Sequence, residues 1–107
     1  MSTSELSFVM CVGCFYVNVM EGQPMTTLHC PESSGVVDWT YQTSEGSDEF
    51  PIIAGSFRGE RFVFDTVKNS LTIISITAND SGLYHCITHG RIKHTFDVKS
   101  HSTSTIV

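Results

Sequence analysis

Apolar and polar residues alternate along most of the chain in short runs, and clusters of Gly, Pro, Asn, Asp and Ser separate the runs. Alternation with a period of two is typical of a β-strand with one buried side, and the turn residues between runs predict reversals of the chain. Helical periodicity is scarce, so the expected fold class is an all-β sandwich or barrel. The pattern predicts strands over residues 15–20, 25–30, 36–42, 50–54, 61–64, 70–76, 83–89 and 92–99.

The composition is that of one small globular domain. The chain has 107 residues, of which 40% are hydrophobic and 16% charged, and its net charge is −5. Its six basic residues are scattered rather than clustered, which argues against nucleic-acid binding. No apolar run approaches the ~18–20 residues that a membrane span needs, so we expect this segment to make no membrane contact. If the protein is membrane-bound, this chain is its soluble part.

Four cysteines, Cys11, Cys14, Cys30 and Cys86, allow three fully paired connectivities. Cys30 and Cys86 each lie in an alternating, strand-like run. A bridge between those two would close a long loop and contribute about 4 kcal/mol in the chain-entropy model. Such a bridge would indicate an oxidising compartment.

A tryptophan and a tyrosine stand at fixed distances from these two cysteines. Trp39 lies between Cys30 and Cys86, and Tyr84 is two residues before Cys86 in a D-x-G-x-Y-x-C run. On this joint pattern the chain resembles the immunoglobulin superfamily over roughly residues 15–100. The resemblance implies a two-sheet antiparallel β-sandwich with Greek-key connections, and a Cys30–Cys86 disulfide that joins the sheets and packs on Trp39. Tyr84 would form the tyrosine corner.

The domain boundaries follow from the same resemblance. Residues 1–100 are expected to form a single variable-like immunoglobulin domain, with no structure assigned to its extreme N-terminus. Residues 101–107 are rich in Ser and Thr and would form a tail or the start of a stalk.

Two further features are similar to variable-type domains. Arg61 opens the expected strand D, where such domains carry an arginine that pairs with the corner aspartate, here Asp80; Arg58 is the alternative partner. Gln42 completes a W-x-x-Q match, and in paired variable domains that glutamine faces the partner domain. No Gly follows Phe96, so the chain does not resemble a rearranged antigen-receptor segment. The short span between the cysteines leaves an intermediate-type domain open, and the first domains of immunoglobulin-type cytokine receptors are also similar.

The alternation also predicts which side chains point away from the core. If Trp39 and Cys86 face inward, neighbouring positions face outward on the strands predicted over 36–42, 83–89 and 92–99, which correspond to strands C, F and G of an immunoglobulin domain. They form one polar face around a single apolar residue, Ile87. Relatives commonly bind through this sheet, and an apolar anchor ringed by polar groups is typical of binding hot spots. The expected ligand or dimer face consists of Asp38, Thr40, Gln42, His85, Ile87, His89, Lys93 and Thr95. The 51–53 edge could extend it.

The residues favour recognition over catalysis or metal binding. His85 and His89 lie on one strand face, but a zinc site would need further ligands. No nucleophile elbow, paired-carboxylate context or phosphate-binding loop is present, so we expect no enzyme, no cofactor and no metal. Cys11 and Cys14 form a C-x-x-C element without the strand-to-helix context of a redox motif. We favour strand A for this element, with the state of both thiols open.

The expected function is therefore an extracellular protein-recognition domain of an immune-type cell-surface receptor or adhesion protein. It would bind a protein ligand, such as another immunoglobulin-superfamily protein, or a second copy of itself. Two alternatives stay open: an intracellular structural repeat of the muscle-filament kind, and a secreted cytokine-binding decoy.

Overall fold

Eight β-strands occupy the residues that the computed structural model describes, which are 13–31, 35–44, 46–53, 61–88 and 92–101. Each predicted strand has an observed counterpart, and most ends differ from the prediction by only a residue or two. The strands are β1 (Phe15–Met20), β2 (Met25–His29), β3 (Val37–Gln42), β4 (Glu49–Pro51), β5 (Phe62–Asp65), β6 (Ser70–Ile74), β7 (Gly82–Thr88) and β8 (Ile92–His101).

The strands form two sheets packed as a sandwich. A five-stranded sheet has the order β1-β8-β7-β3-β4, and a three-stranded sheet has the order β2-β6-β5. Strands that follow each other in the chain often lie in different sheets, as the predicted Greek-key connections require. All neighbours pair in the antiparallel sense except β1 and β8, which are parallel. The predicted antiparallel sandwich is therefore confirmed, with one parallel pair at the edge of the larger sheet.

The core lies between the sheets and contains the predicted signature residues. The Cys30–Cys86 disulfide joins the end of β2 to β7, with the two Cα atoms 6.0 Å apart. Trp39 lies beside Cys86 in the β3–β7 register, and both are buried in the same apolar cluster. The ring of Trp39 packs 5.9 Å from that of Phe96 on β8. The disulfide and the indole therefore hold the two layers together as predicted.

The corner before β7 is fixed by polar contacts inside the core. Ala78–Asp80 form a 3₁₀ turn, and the backbone N–H of Thr77 donates a 2.8 Å hydrogen bond to the fully buried Asp80 carboxylate. Arg61 forms the predicted ion pair with this carboxylate. The alternative partner, Arg58, lies outside the described residues. Tyr84 donates a hydrogen bond to the backbone carbonyl of Asp80, which confirms the tyrosine corner.

The two ends of the domain differ slightly from the prediction. His101 is still part of β8 and pairs with Met20, so the sandwich continues one residue past the expected boundary at 100. Gly13 and Cys14 precede β1 and lie in no strand, so the strand assignment is wrong for these two. Cys14 is disulfide-bonded, whereas Cys11 and residues 102–107 lie outside the described residues. In the described ranges, no helix is long and apolar enough to cross a membrane.

Candidate functional site

The outward side of the five-stranded sheet carries the candidate site and is called the outer face here. Its central row runs across three strands through the register neighbours Thr95, His85 and Thr40. The next row toward the end of β7 holds Lys93, Ile87 and Asp38 in the same order. The structure therefore brings seven of the eight predicted face residues together, as the alternation requires; the eighth, His89, lies outside the described residues.

His85 was predicted to be exposed, and this is wrong, because it is only 5% exposed. Its imidazole points outward but is held between side chains of the two flanking strands. The Nδ1 atom lies 2.7 Å from the hydroxyl of Thr95 on β8, and the Nε2 atom lies 2.7 Å from the amide oxygen of Gln42 on β3. Leu83, next along the same side of β7, is buried as well. The centre of the outer face is therefore packed rather than open.

The hydrogen bonds of Gln42 determine the tautomer of this imidazole when the ring is neutral. The amide nitrogen of Gln42 donates a 2.8 Å hydrogen bond to the backbone carbonyl of Ser47, so its oxygen must face His85. An amide oxygen only accepts, which means that His85 carries its hydrogen on Nε2. In the neutral ring Nδ1 then accepts from the hydroxyl of Thr95. Gln42 was predicted to face a partner domain, but its oxygen and one of its N–H groups are used within this chain.

An ion pair spans the same region of the outer face. The ammonium of Lys93 on β8 lies 3.1 Å from a carboxylate oxygen of Glu49 on β4, although β7 and β3 run between these two strands. The other carboxylate oxygen of Glu49 accepts a hydrogen bond from Thr40. The pair therefore passes over the strands that hold His85 and Thr40. Sequence reasoning missed Glu49, because its polar neighbours 43–48 indicated a loop.

The surroundings of Glu49 stabilise its charged form. The hydrogen bond from Thr40 is the largest cause that lowers the pKa of Glu49, and the hydrogen bond and charge of Lys93 lower it further. The charge of His85 also lowers the pKa, while partial desolvation acts in the opposite direction. The carboxylate and the imidazole are therefore close enough for each to sense the other's charge.

Ile87 is half-buried and links the outer face to an apolar rim. It lines an open cleft of about 1100 Å³ at the end of the sheet. Three strongly exposed apolar residues, Val36, Ile53 and Val67, line the same cleft. On the predicted 51–53 edge, Pro51 and Ile53 are exposed whereas Ile52 is buried. The apolar surface beside Ile87 is therefore wider than the single residue that the sequence predicted.

Within the described residues, no group of three or more His, Cys, Asp or Glu side chains is placed to hold a metal ion. The outer face instead offers charged and neutral polar groups together with an apolar margin. Its charged residues are Asp38, Glu49, Lys93, Asp97 and Lys99. Such a surface can exchange hydrogen bonds and ion pairs with another protein while burying a few apolar side chains.

Comparisons with known proteins identify the fold. No protein-family model matches the chain, and no curated protein sequence matches it. Among solved structures, the extracellular domain of the voltage-gated sodium channel beta4 subunit superimposes with a TM-score of 0.63 at 18% identity, covering 89% of this chain and 91% of that one. An extracellular fragment of novel immune-type receptor 11 from Ictalurus punctatus gives 0.61 at 20% identity, covering 80% and 96%.

Drosophila semaphorin 2a gives a TM-score of 0.66 at 17% identity, covering 83% of this chain. This chain spans only 14% of the semaphorin's length. At these identities the comparisons establish the architecture alone, which is an immunoglobulin-like sandwich.

Proposed function

We propose that this chain is an extracellular recognition domain that binds a protein partner, and in the first instance a second copy of itself, through the outer face. The observation that carries the proposal is the arrangement around Ile87. Ile87 lies in one register row with the exposed Asp38 and Lys93. On the side of the cleft, the exposed residues Val36 and Ile53 extend the apolar surface of Ile87. An apolar centre with a polar, charged surround is how the energetically important part of a protein interface is built.

Two solved structures with a similar fold support this role. The structure of the sodium channel beta4 domain is described as a parallel homodimer that explains its role in cell–cell adhesion. The fish immune-type receptor fragment is extracellular. Both consist almost entirely of one domain of this architecture, since this chain covers nine-tenths or more of each. A single sandwich of this size is therefore enough for such a role.

The Cys30–Cys86 disulfide supports an extracellular or secretory location. Disulfides of this kind persist in oxidising compartments and are rare in the cytosol. It also disfavours the alternative of an intracellular filament repeat, whose domains are kept reduced.

We further propose recognition without catalysis. The imidazole of His85 is the only buried titratable ring on the described part of the outer face, and both its nitrogens contact side chains of this chain. Thr95 and Gln42 use their polar atoms on that ring. These groups therefore order a surface and are not arranged as a nucleophile with its base.

The test is homotypic association measured by sedimentation equilibrium, together with aggregation of beads coated with the chain. Ile87→Asp places a charge in the centre of the proposed interface and should weaken association at least tenfold. Lys93→Glu, at an exposed position, should weaken it as well. Val63→Asp is the matched control, because Val63 is a half-exposed apolar strand residue on the other sheet.

Thermal unfolding separates loss of binding from loss of fold. Ile87→Asp is expected to cost about 1 kcal/mol, since the side chain is half-buried. If Val63→Asp weakens association as much as Ile87→Asp and Lys93→Glu do, the outer face is not the interface. If the wild-type chain stays monomeric at every concentration and the beads do not aggregate, self-recognition is wrong.

A further inference from the structure

His85 is unusual on the outer face because it is buried, titratable and central at once. Histidine is the side chain whose ordinary pKa, about 6.5, puts its change of charge near physiological pH. It lies between Thr95 and Thr40 in the sheet register, under the span of the Lys93–Glu49 ion pair. A proton taken up here would enter the middle of the surface that we propose for binding.

The ring can take up a second proton while its hydrogen-bond partners keep their positions. The Nε2–H donates to Gln42 in the neutral ring and keeps doing so in the charged ring. The new Nδ1–H would point at the hydroxyl oxygen of Thr95, which can accept once its own hydrogen rotates away. A backbone N–H or an ammonium at the position of Thr95 would have blocked protonation, whereas a hydroxyl permits it.

The charged groups that face His85 from the packed strands are one from β3, one from β4 and two from β8. They are Asp38, Glu49, Lys93 and Asp97. Three of these four are carboxylates, and the charge of Glu49 is coupled to His85. Only Lys93 would repel an imidazolium. The three carboxylates favour the charged ring, whereas Lys93 and the burial of the ring oppose it.

Protonation would change the charge that the outer face shows to a partner. With Lys99 included, the described outer face carries three carboxylates and two ammonium groups, hence one net negative charge, and the whole chain carries −5. Two copies that dock these faces repel each other at neutral pH. One proton on His85 brings the net charge of each face to zero and weakens the hold of Glu49 on Lys93.

We propose that His85 is a proton sensor of the outer face and that its protonation strengthens association between two copies of the chain under mildly acidic conditions. This inference rests on the proposed function, because it concerns the same face. The partner to which the proposal commits is a second copy, because its outer face carries the same net negative charge and takes up a proton at the same position, so the repulsion falls on both sides of the interface.

The experiment measures the dissociation constant of the homodimer by sedimentation equilibrium at pH 7.5 and 5.5, in wild type, His85→Gln and His29→Gln. In wild type we expect association to be about fivefold tighter at pH 5.5. His85→Gln stays neutral at both pH values and should lose this difference. His29→Gln is the matched control, because His29 is exposed on the three-stranded sheet, and it should keep the difference.

NMR titration of the same proteins follows the ring of His85 and the backbone amides of Thr40, Glu49 and Lys93. The proposal expects one midpoint between pH 5 and 7.5 for all four signals. In His85→Gln, the three backbone amides should show no midpoint in this range. A ring that stays neutral down to pH 4.5 would overturn the proton-sensor inference and leave the proposed self-recognition standing. Association in His85→Gln that still depends on pH would do the same. A chain that does not associate at either pH overturns self-recognition, and the sensor falls with it.

Discussion

The hydroxyl of Tyr84 donates a 2.6 Å hydrogen bond to the backbone carbonyl oxygen of Asp80, four residues earlier in the chain. The bond closes the corner between the 3₁₀ turn and β7, and Tyr84 itself is completely buried. Water therefore cannot reach the carbonyl oxygen of Asp80 to replace the hydroxyl when the hydroxyl is removed. One local bond thus connects the turn that presents Asp80 to the strand that presents Cys86.

Tyr84→Phe should reduce the free energy of unfolding by about 1–2 kcal/mol, because it leaves a buried carbonyl without its donor. Urea denaturation at neutral pH measures the change. Tyr16→Phe is the control, since Tyr16 is 49% exposed and water can take the place of its hydroxyl. A Tyr84→Phe protein as stable as Tyr16→Phe would show that the corner bond is energetically unimportant.

Arg61→Met should destabilise the fold by about 3 kcal/mol, because it leaves the buried carboxylate of Asp80 without its cation. Arg61→Met combined with Asp80→Asn should cost less than the sum of the two single changes, since the double variant has no uncompensated charge. A double-mutant cycle by urea unfolding tests this. Strictly additive costs would contradict the ion pair. Lys99→Met, which removes an exposed pair with Asp97, should change stability by less than about 0.5 kcal/mol.

Gly82→Ala should cost about 3 kcal/mol or more. Gly82 has a φ of +151°, and a Cβ atom built there would lie 2.7 Å from both the Gln42 carbonyl oxygen and the Tyr41 ring. Gly22→Ala is the control, because Gly22 also has a positive φ, of +91°, but has no atom within 4 Å of the new Cβ. It should cost only about 1 kcal/mol. Thermal unfolding of the two variants isolates the clash, and equal costs would mean that β3 and Tyr41 move aside.

Glu49 should give the stability a dependence on acidic pH. The pKa of Glu49 in the fold lies below the reference value of 4.5, chiefly because Thr40 donates a hydrogen bond to the carboxylate. A lowered pKa means that the charged form stabilises the fold. This contribution is complete above the unfolded pKa and is lost as the pH falls through the folded one.

In a His85→Gln background, where no imidazole titrates beside Glu49, the stability difference made by Glu49→Gln should therefore be constant above about pH 5.5 and shrink as the solution is acidified below the reference value. Urea unfolding at a series of pH values measures it. Thr40→Val should raise the midpoint of Glu49, as followed by NMR of its side-chain carboxyl. A difference that grows toward acidic pH would reverse the sign of the argument.

Much of the fold could be predicted from the sequence because its determinants are local or periodic. Alternation marked each strand, and turn residues marked the reversals between them. The spacing of Cys30, Trp39, Tyr84 and Cys86 is specific enough to imply which residues meet in the core. The Arg61–Asp80 pair was also expected, although only through resemblance, since nothing local connects these two positions.

The candidate site was harder to predict from the sequence, because alternation indicates which side of a sheet a residue faces and not which side chains cover it. His85 faces outward as expected and is nevertheless buried, since Gln42 and Thr95 close on it from the neighbouring strands. Glu49 was assigned to a loop, although it begins a short strand and reaches Lys93 across two others. These contacts join residues more than 40 positions apart or depend on strand order.

By itself, the sequence determined the strands, the buried signature and the outward direction of the face residues, because each follows from short-range periodicity or a fixed spacing. Only the tertiary structure decided that β1 runs parallel to β8, that an ion pair spans the sheet, and that the central histidine is enclosed. These outcomes depend on which strands become neighbours and on how far long side chains extend across them. Both are set by packing of the whole sandwich and by no segment alone.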